Sequence, residues 1–304
     1  MKNHTVVISK SWPATPEREK FAEALAVELA ANGVRTMLVP EANNLAEAHA
    51  ALAALRALKK PAIFCGWLHP RALYWTLVYL GVPAACKRPA KESSPPICLN
   101  LAEIKSAEKA LAELRKYFGG SFPGGAGKLL RFEAGAIKER WYPVIDRQRC
   151  QNCLACAEFC LFGVYSKTAE GRIQVAHPEA CKPGCPACSR ICPSQAIMFP
   201  LYEDDPAIAG AEDARIQPFD AETLAKIQKH RQKAVQKAPP CATGGGSTEL
   251  AEVLSASAAP LKTLVKNCEC KQKSAAAGDS TGLAVQGGND GYFDQIIKDA
   301  ITGS

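Results

Sequence analysis

Residues 150–160 read CQNCLACAEFC, and residues 181–193 read CKPGCPACSRICP. Eight cysteines therefore fall in two runs, with spacings C-x2-C-x2-C-x3-C and C-x3-C-x2-C-x3-C-P. Three thiolates at such spacing can each bind a separate iron of one cubane iron–sulfur cluster. The fourth cysteine, where the chain turns away, is better placed for a neighbouring cluster.

The two runs resemble those of bacterial-type ferredoxins, and the resemblance covers about residues 142–202. It implies an α+β ferredoxin-like domain that carries two [4Fe–4S] clusters and moves single electrons. It implies two ligand sets, which are Cys150, Cys153, Cys156 and Cys192 for one cluster and Cys181, Cys185, Cys188 and Cys160 for the other. Short strands are predicted at 143–146, 164–166, 172–175 and 196–199.

The chain departs from the family pattern at two places. Leu161 follows Cys160 where the family usually has proline, and Lys182, Pro183 and Gly184 lengthen the first gap of the second run. A Pro-Gly pair forms turns readily, so the extra residue can bulge outward while the thiolates converge. Neither departure removes a ligand.

Zinc and disulfides are the alternatives for these cysteines. Zinc sites usually use two C-x2-C pairs, or one pair with histidines, separated by a longer loop, and the third cysteine of each run would have no role there. Disulfides suit a secreted chain, whereas Met1 leads almost directly into an apolar strand without a secretory signal. Iron–sulfur ligation is favoured, and ligand spacing does not distinguish a structural cluster from an electron-carrying one.

The first 118 residues alternate strand and helix patterns, which predicts an α/β domain of the Rossmann or flavodoxin-like type. Such alternation favours an open, mainly parallel sheet with helices on its faces. Strands are predicted at 6–9, 36–39 and 62–65, with short ones at 82–85 and 96–99. Helices are predicted from Pro16 to about Asn32, from Asn44 to Lys60, from Pro70 to about Leu80, and from Glu103 to Phe118. Thr15 is predicted to cap the first of them, with Pro16 at its first position. Asn44 and Glu47 resemble a capping box.

Ligands of open parallel sheets lie at the carboxyl ends of the strands. Trp12, Trp67, His69 and Arg71 follow the first and third predicted strands, where aromatic faces beside cations can hold a small planar or anionic ligand or anchor a protein partner. Packing of the tryptophans and helix capping by His69 are the alternative interpretation. No G-x-G-x-x-G follows a strand, and the glycines at 124–127 do not complete a phosphate loop.

The remaining boundaries follow from composition. We expect the α/β domain at 1–118, a linker at 119–141, the cluster domain at 142–202, and a helix plus a partly disordered low-complexity tail at 203–304. Cys241, Cys268 and Cys270 are interpreted as incidental thiols in preference to a metal or redox site. Cys65, Cys86 and Cys98 lie in apolar segments and are interpreted as small buried hydrophobes.

The chain of 304 residues has a formal net charge of +7 and a pI near 8.7, which is mildly basic. The nearest basic cluster, at 226–237, has the pattern of a solvated helix, so no nucleic-acid site is expected. The apolar stretch 61–86 is interrupted at 69–71, so no membrane span is expected. Fourteen cysteines without a signal peptide predict a cytoplasmic protein.

These observations favour a protein that carries electrons between redox partners, more readily than an enzyme. The α/β domain would serve as a docking or ligand-binding module, because no catalytic nucleophile motif is found in it. The alternatives are a cluster-dependent redox enzyme that uses this domain, and a non-enzymatic iron–sulfur redox sensor or assembly factor.

Overall fold

A computed structural model describes residues 4–59, 62–83, 97–135 and 138–227, together with Lys229. The chain divides into two compact units, Met1–Pro218 and Phe219–Ser304. In the second unit residues 221–227 are helical, and the backbone N–H of Thr223 donates to Oδ1 of Asp220 at 2.7 Å. A helix is therefore present where the sequence predicts one. The low-complexity tail, with Cys241, Cys268 and Cys270, lies outside the described residues, as does Cys86.

The first unit is built around a five-stranded sheet with the order β4-β3-β1-β2-β5, in which all four pairings are parallel. Its strands are β1 (Thr5–Ser9), β2 (Arg35–Val39), β3 (Ala62–Gly66), β4 (Cys98–Asn100) and β5 (Leu129–Arg131). The three central strands are almost entirely buried, which is typical of a parallel sheet covered on both faces. The predicted mixed α/β architecture with a parallel sheet is confirmed.

Helices cover both faces of the sheet. They are α1 (Pro16–Ala31), α2 (Ala50–Arg56), α3 (Pro70–Tyr79), α4 (Leu101–Ile104) and α5 (Ala107–Tyr117). Thr15 caps α1 by accepting from the N–H of Arg18, and Pro16 occupies the first helical position, as predicted. Leu25 and Leu29 of α1 pack with α5 on one face, while α2 and α3 pack on the other. Each fully buried leucine contributes about 1.5–3 kcal/mol of transfer free energy.

Two predicted helices have different bounds in the structure. Helix α2 begins only at Ala50, because the imidazole of His49 accepts from the N–H of Ala51 at 3.0 Å. Asn44 instead ends a buried 3-10 turn, Ala42–Asn44, in which the N–H groups of Asn43 and Asn44 donate to the Glu41 side chain. The predicted Asn44–Glu47 capping box is therefore wrong. The helix predicted from Glu103 is divided, since Ser106 caps a new helix, α5, after α4 ends.

Part of the range 119–141, where a linker is predicted, forms the edge strand β5 beside β2. The preceding glycine segment packs on the end of α1, where the N–H groups of Gly124 and Gly127 donate to Asn32 and Ala30. Gly33 has a φ of +84°, and a Cβ added there would lie 2.2 Å from the carbonyl oxygen of Gly124. Close backbone approach therefore explains Gly33, and also Gly127, where an added Cβ would lie 2.4 Å from the carbonyl oxygen of Val34.

The cysteine-bearing part of the first unit consists of short elements. Two antiparallel pairs are formed, β6 (Val144–Ile145) with β9 (Ile197–Met198), and β7 (Tyr165–Lys167) with β8 (Ile173–Val175). Each cysteine run contains one short helix, α6 (Ala155–Phe159) in the first run and α7 (Ala187–Arg190) in the second. A 3-10 turn spans Pro178–Ala180, and α8 (Pro206–Ala209) follows β9. The strands predicted around the runs are thus present.

Across the described ranges of the chain, no helix is both long enough and apolar enough to cross a bilayer.

Replacing Gly33 by alanine should lower the free energy of unfolding by more than the roughly 1–2 kcal/mol that a left-handed backbone conformation costs, because the added Cβ also meets the Gly124 carbonyl. Gly119 is a matched control, since its φ is +82° and no atom lies within 4 Å of an added Cβ. Urea unfolding of both variants measures the difference. Equal destabilisation would show that the close approach carries no energy.

Candidate iron–sulfur site

Four cysteines from both runs surround one hollow. The hollow has an empty volume of about 330 Å³, including space open to solvent, and its other walls are largely apolar. Its cysteines are Cys150, Cys153, Cys156 and Cys192. Ile145, Ile173 and Ile197 lie among the remaining lining residues, so strands β6, β8 and β9 supply the apolar walls. Cys153 is exposed and Cys156 is buried.

The local backbone of the first run turns the cysteines toward this hollow. Asn152 and Leu154 adopt left-handed conformations, with φ of 56° and 67°, so consecutive cysteines do not continue along one helix face. The Asn152 side chain fixes this loop to β8: its Oδ1 accepts from the N–H of Ile173 at 2.7 Å, and its Nδ2 donates to the carbonyl of Gly171 at 3.0 Å. Asparagine tolerates this conformation better than most residues.

Burial raises the pKa of the Cys156 thiol to about 12, and the nearby thiols of Cys192, Cys150 and Cys153 add to the shift. The largest of these neighbour effects comes from Cys192, which belongs to the other run. A buried thiol without a cation stays protonated, so binding a metal group here displaces protons.

The other four cysteines are electrostatic neighbours in the same way. Burial raises the pKa of Cys188 well above its usual value, and Cys185, Cys181 and Cys160 raise it further. The pKa of Cys181 is also raised, chiefly by burial and then by the neighbouring thiols of Cys185 and Cys160. Cys160 belongs to the first run but lies with the cysteines of the second. The electrostatic neighbours of Cys188 and Cys181 are thus cysteines of the second run together with Cys160.

Polar groups reach the sulfur atoms in both groups. The Tyr165 hydroxyl donates to Sγ of Cys188 at 3.1 Å, and the backbone N–H of Ala196 donates to Sγ of Cys192 at 3.3 Å. The indole N–H of Trp141 donates to the carbonyl of Cys185 at 3.4 Å, and its ring stacks on Phe199. Bonds of this kind tune the redox potential of a thiolate-bound cluster.

All ten cysteines that the structure describes are free of disulfides. Within the described ranges, no group of three or more His, Cys, Asp or Glu side chains is arranged to hold a metal ion. A single zinc ion needs its sulfur ligands about 2.3 Å from one point, whereas the thiolates of a cubane cluster each bind a different iron. Sulfurs placed around a hollow, with apolar walls behind them, fit the second kind of group.

The ligand site expected at the strand ends has a different composition in the structure. Arg71 is 6% exposed, and its guanidinium pairs with Asp146, so it does not face a ligand. Trp67 packs edge-on against Phe21 with ring centroids 5.8 Å apart. His69 precedes α3 at the N-cap position but makes no side-chain cap bond. Trp12 is half-buried. The structure therefore gives no support to a ligand at these four residues, and the Arg71 guanidinium is occupied by Asp146.

The carboxyl edge of the sheet holds the start of the cysteine-bearing segment instead. Asn43 and Asn44 follow β2. The Nδ2 of Asn43 donates to the carbonyl of Arg140 at 2.8 Å, and the N–H of Arg140 donates to Oδ1 of Asn44 at 2.7 Å. The Tyr142 hydroxyl donates to the carbonyl of Asn43 at 2.9 Å. Sequence reasoning missed this contact, although paired asparagines after a buried strand are a visible sign of polar partners.

Cys65 and Cys98 lie apart from both groups. Cys65 is fully buried in β3, and burial raises the pKa of the Cys98 thiol to about 12. Their thiols remain protonated and unreactive at neutral pH, in keeping with their interpretation as small hydrophobes.

One curated protein with local similarity is an uncharacterized ferredoxin of Methanocaldococcus jannaschii. It is 46% identical to this chain over 61 residues, which are 20% of this chain and 41% of that protein. The chain thus matches less than half of the relative's length. No protein-family model matches the chain, and no solved structure matches it. The local identity supports a ferredoxin-like iron–sulfur segment in this chain.

The exchange of cysteines between the runs can be tested by two matched substitutions. Cys160→Ser should perturb the site of Cys181, Cys185 and Cys188, whereas Cys192→Ser should perturb the site of Cys150, Cys153 and Cys156. The measurement is cysteine alkylation mapped by mass spectrometry after anaerobic iron–sulfur reconstitution, with EPR of the reduced protein. Damage by Cys160→Ser that is confined to its own run would contradict the exchange.

Proposed function

We propose that the chain is an electron-transfer protein of the ferredoxin type that binds two [4Fe–4S] clusters. The first cluster site consists of Cys150, Cys153, Cys156 and Cys192, and the second of Cys181, Cys185, Cys188 and Cys160. When bound, such a cluster takes up and gives back one electron at a time.

The observation that supports this proposal is that each run places its last cysteine beside the other run. Cys192 lines one hollow with Cys150, Cys153 and Cys156, and Cys160 is an electrostatic neighbour of Cys181 and Cys188. A chain that needed one metal ion or a structural thiol pair would have no use for this exchange. Two cluster sites that share both runs account for all eight residues.

The protein's own contribution is to hold the thiolates in largely apolar surroundings and to set their hydrogen bonding. Ile145, Ile173 and Ile197 line the first site, so water is partly excluded from it. Backbone N–H groups and the Tyr165 hydroxyl donate to sulfur, which stabilises added negative charge on the reduced site. These groups are fixed by strands and turns, so little rearrangement accompanies a change of charge.

Helix α3 is the main contact between the sheet and the cysteine-bearing segment. Ala72 and Trp75 of α3 pack with Tyr142, Val144 and Met198, and Cys181 packs against this apolar cluster. We infer that the α/β part supports both sites and presents them to a redox protein that donates or accepts electrons. The free thiols also favour a reducing compartment such as the cytoplasm.

Anaerobic purification with iron and sulfide analysis tests the proposal directly. Two [4Fe–4S] clusters give about eight irons and about eight sulfides per chain, and two nearby reduced clusters give an EPR spectrum with interacting spins. Zinc in place of iron would refute the proposal. Iron loss on brief exposure to air that alters binding to a partner protein would favour the sensor alternative.

Removing the Tyr165 hydroxyl should lower the reduction potential of the second site. A hydrogen bond of about 1 kcal/mol corresponds to roughly 40 mV for a one-electron couple, and its loss destabilises the more negative, reduced form. Tyr117→Phe is the control for Tyr165→Phe, because Tyr117 lies on α5 in the α/β part. Redox titration followed by EPR should show a lower potential for one cluster in Tyr165→Phe alone. An unchanged potential would mean that this bond does not persist in the cluster-bound protein.

A further inference from the structure

A buried ion pair joins helix α3 to the turn that precedes the first cysteine run. The Nε of Arg71 donates to Oδ2 of Asp146 at 2.8 Å, and the two side chains are only 4% and 5% exposed. Buried charges are tolerated when they are paired and hydrogen-bonded. Residues 71 and 146 belong to different parts of the unit, so this pair fixes one part on the other.

Asp146 organises the turn that ends at Cys150. Its Oδ1 accepts from the N–H groups of Gln148 and Arg149 at 2.9 and 3.2 Å. Its carbonyl accepts from the N–H of Cys150 at 2.9 Å. Arg71, together with Arg149 whose Nε lies 3.6 Å from Oδ2, therefore holds the carboxylate on which the entry to the first cysteine depends.

The same guanidinium also reaches the turn that follows Cys192. Its Nη2 donates to the carbonyl of Gln195 at 2.7 Å, and the N–H of Gln195 donates to the carbonyl of Cys192 at 3.0 Å. Gln195 has a φ of +50°, a conformation that is uncommon for glutamine and must be held by its surroundings. The next residue, Ala196, donates its N–H to the Cys192 sulfur.

Cys150 and Cys192 belong to the same group of four but to opposite ends of the cysteine-bearing segment. One guanidinium bonds both of the turns that carry them. The second group is braced differently: Arg140 pairs with Glu179, just before Cys181, and the Glu179 side chain is 74% exposed. The buried brace is therefore specific to the first site.

We propose that Arg71 is the positioning residue of the first cluster site, holding the turns of Cys150 and Cys192 in register through Asp146 and Gln195. This inference rests on the proposed function, because it assigns the arginine a role in retaining one of the two clusters. Arg71 touches neither the cluster sulfurs nor a substrate; it acts through the two turns.

The test uses the full chain with reconstituted clusters and compares Arg71→Met with the wild type. Loss of an outer-shell partner typically costs about 10- to 100-fold in metal affinity, so half of the iron should be released to a chelator about tenfold faster. Mass spectrometry of alkylated cysteines should show Cys150, Cys153, Cys156 and Cys192 modified first. Arg131→Met is the control, since Arg131 lies on the edge strand β5 and pairs with the half-exposed Glu23 of α1. This variant should behave as the wild type.

Two further variants separate positioning from general stability. Arg71→Lys keeps the charge beside Asp146 but lacks the fork that reaches Gln195 as well, so its release rate should be intermediate. In Arg71→Met with Asp146→Asn, no buried charge is left unpaired and the asparagine oxygen still accepts from the turn. This variant should regain much of the thermal stability while the first site still releases its iron faster.

Equal acceleration of iron release from both sites, or alkylation of all eight cysteines at one rate, would overturn the positioning role. The same conclusion would follow if Arg71→Met released iron at the wild-type rate. A wild-type chain that binds no iron would refute the proposed function itself, an outcome that is distinct because it appears before any variant is compared.

Discussion

An open parallel sheet ends in polar backbone groups at the carboxyl edge of its strands, and those groups must be satisfied. In many proteins with such a sheet a ligand meets this need. In this protein the start of the cysteine-bearing segment takes the place of a ligand after β2, where the side chains of Asn43 and Asn44 bind the backbone of Arg140. Beyond β3, the first turn of α3 supplies Arg71 to Asp146. The cysteine-bearing segment is therefore attached at the edge of the sheet where polar groups need hydrogen-bond partners.

The spacing of the cysteines imposes the second constraint. Gaps of two and three residues keep three sulfurs close in each run. In the first run, left-handed conformations at residues 152 and 154 turn the cysteines toward the hollow. Burial then makes the free thiolates costly, as the raised pKa of Cys156 shows. A bound metal group offsets this cost because it replaces the protons with positive charge. The cysteine spacing, the packing around the sulfurs and the raised thiol pKa all favour a bound metal group.

Features governed by local pattern were predictable from the sequence. The parallel sheet, the cap of α1 at Thr15 and the strands around the cysteine runs are encoded in short stretches. The sequence misleads where contacts between distant residues determine the structure. Asn44 matches a helix cap, but its side chain accepts from the N–H of the distant Arg140. Residues 129–131 lie in the predicted linker but pair with β2. Arg71 resembled a ligand-binding residue because its partner, Asp146, is remote in sequence. The cap of α5 by Ser106, by contrast, is a local signal that the sequence itself contains.

The order of the strands along the chain has a consequence for biosynthesis. All five strands of the sheet, and helix α3, precede Tyr142 in the sequence. Because a chain leaves the ribosome from its N-terminus, all five strands and Arg71 emerge before the first cysteine of either run. The side chains that hold the cysteine-bearing segment, those of Asn43, Asn44 and Arg71, are therefore all synthesised before the segment that they bind.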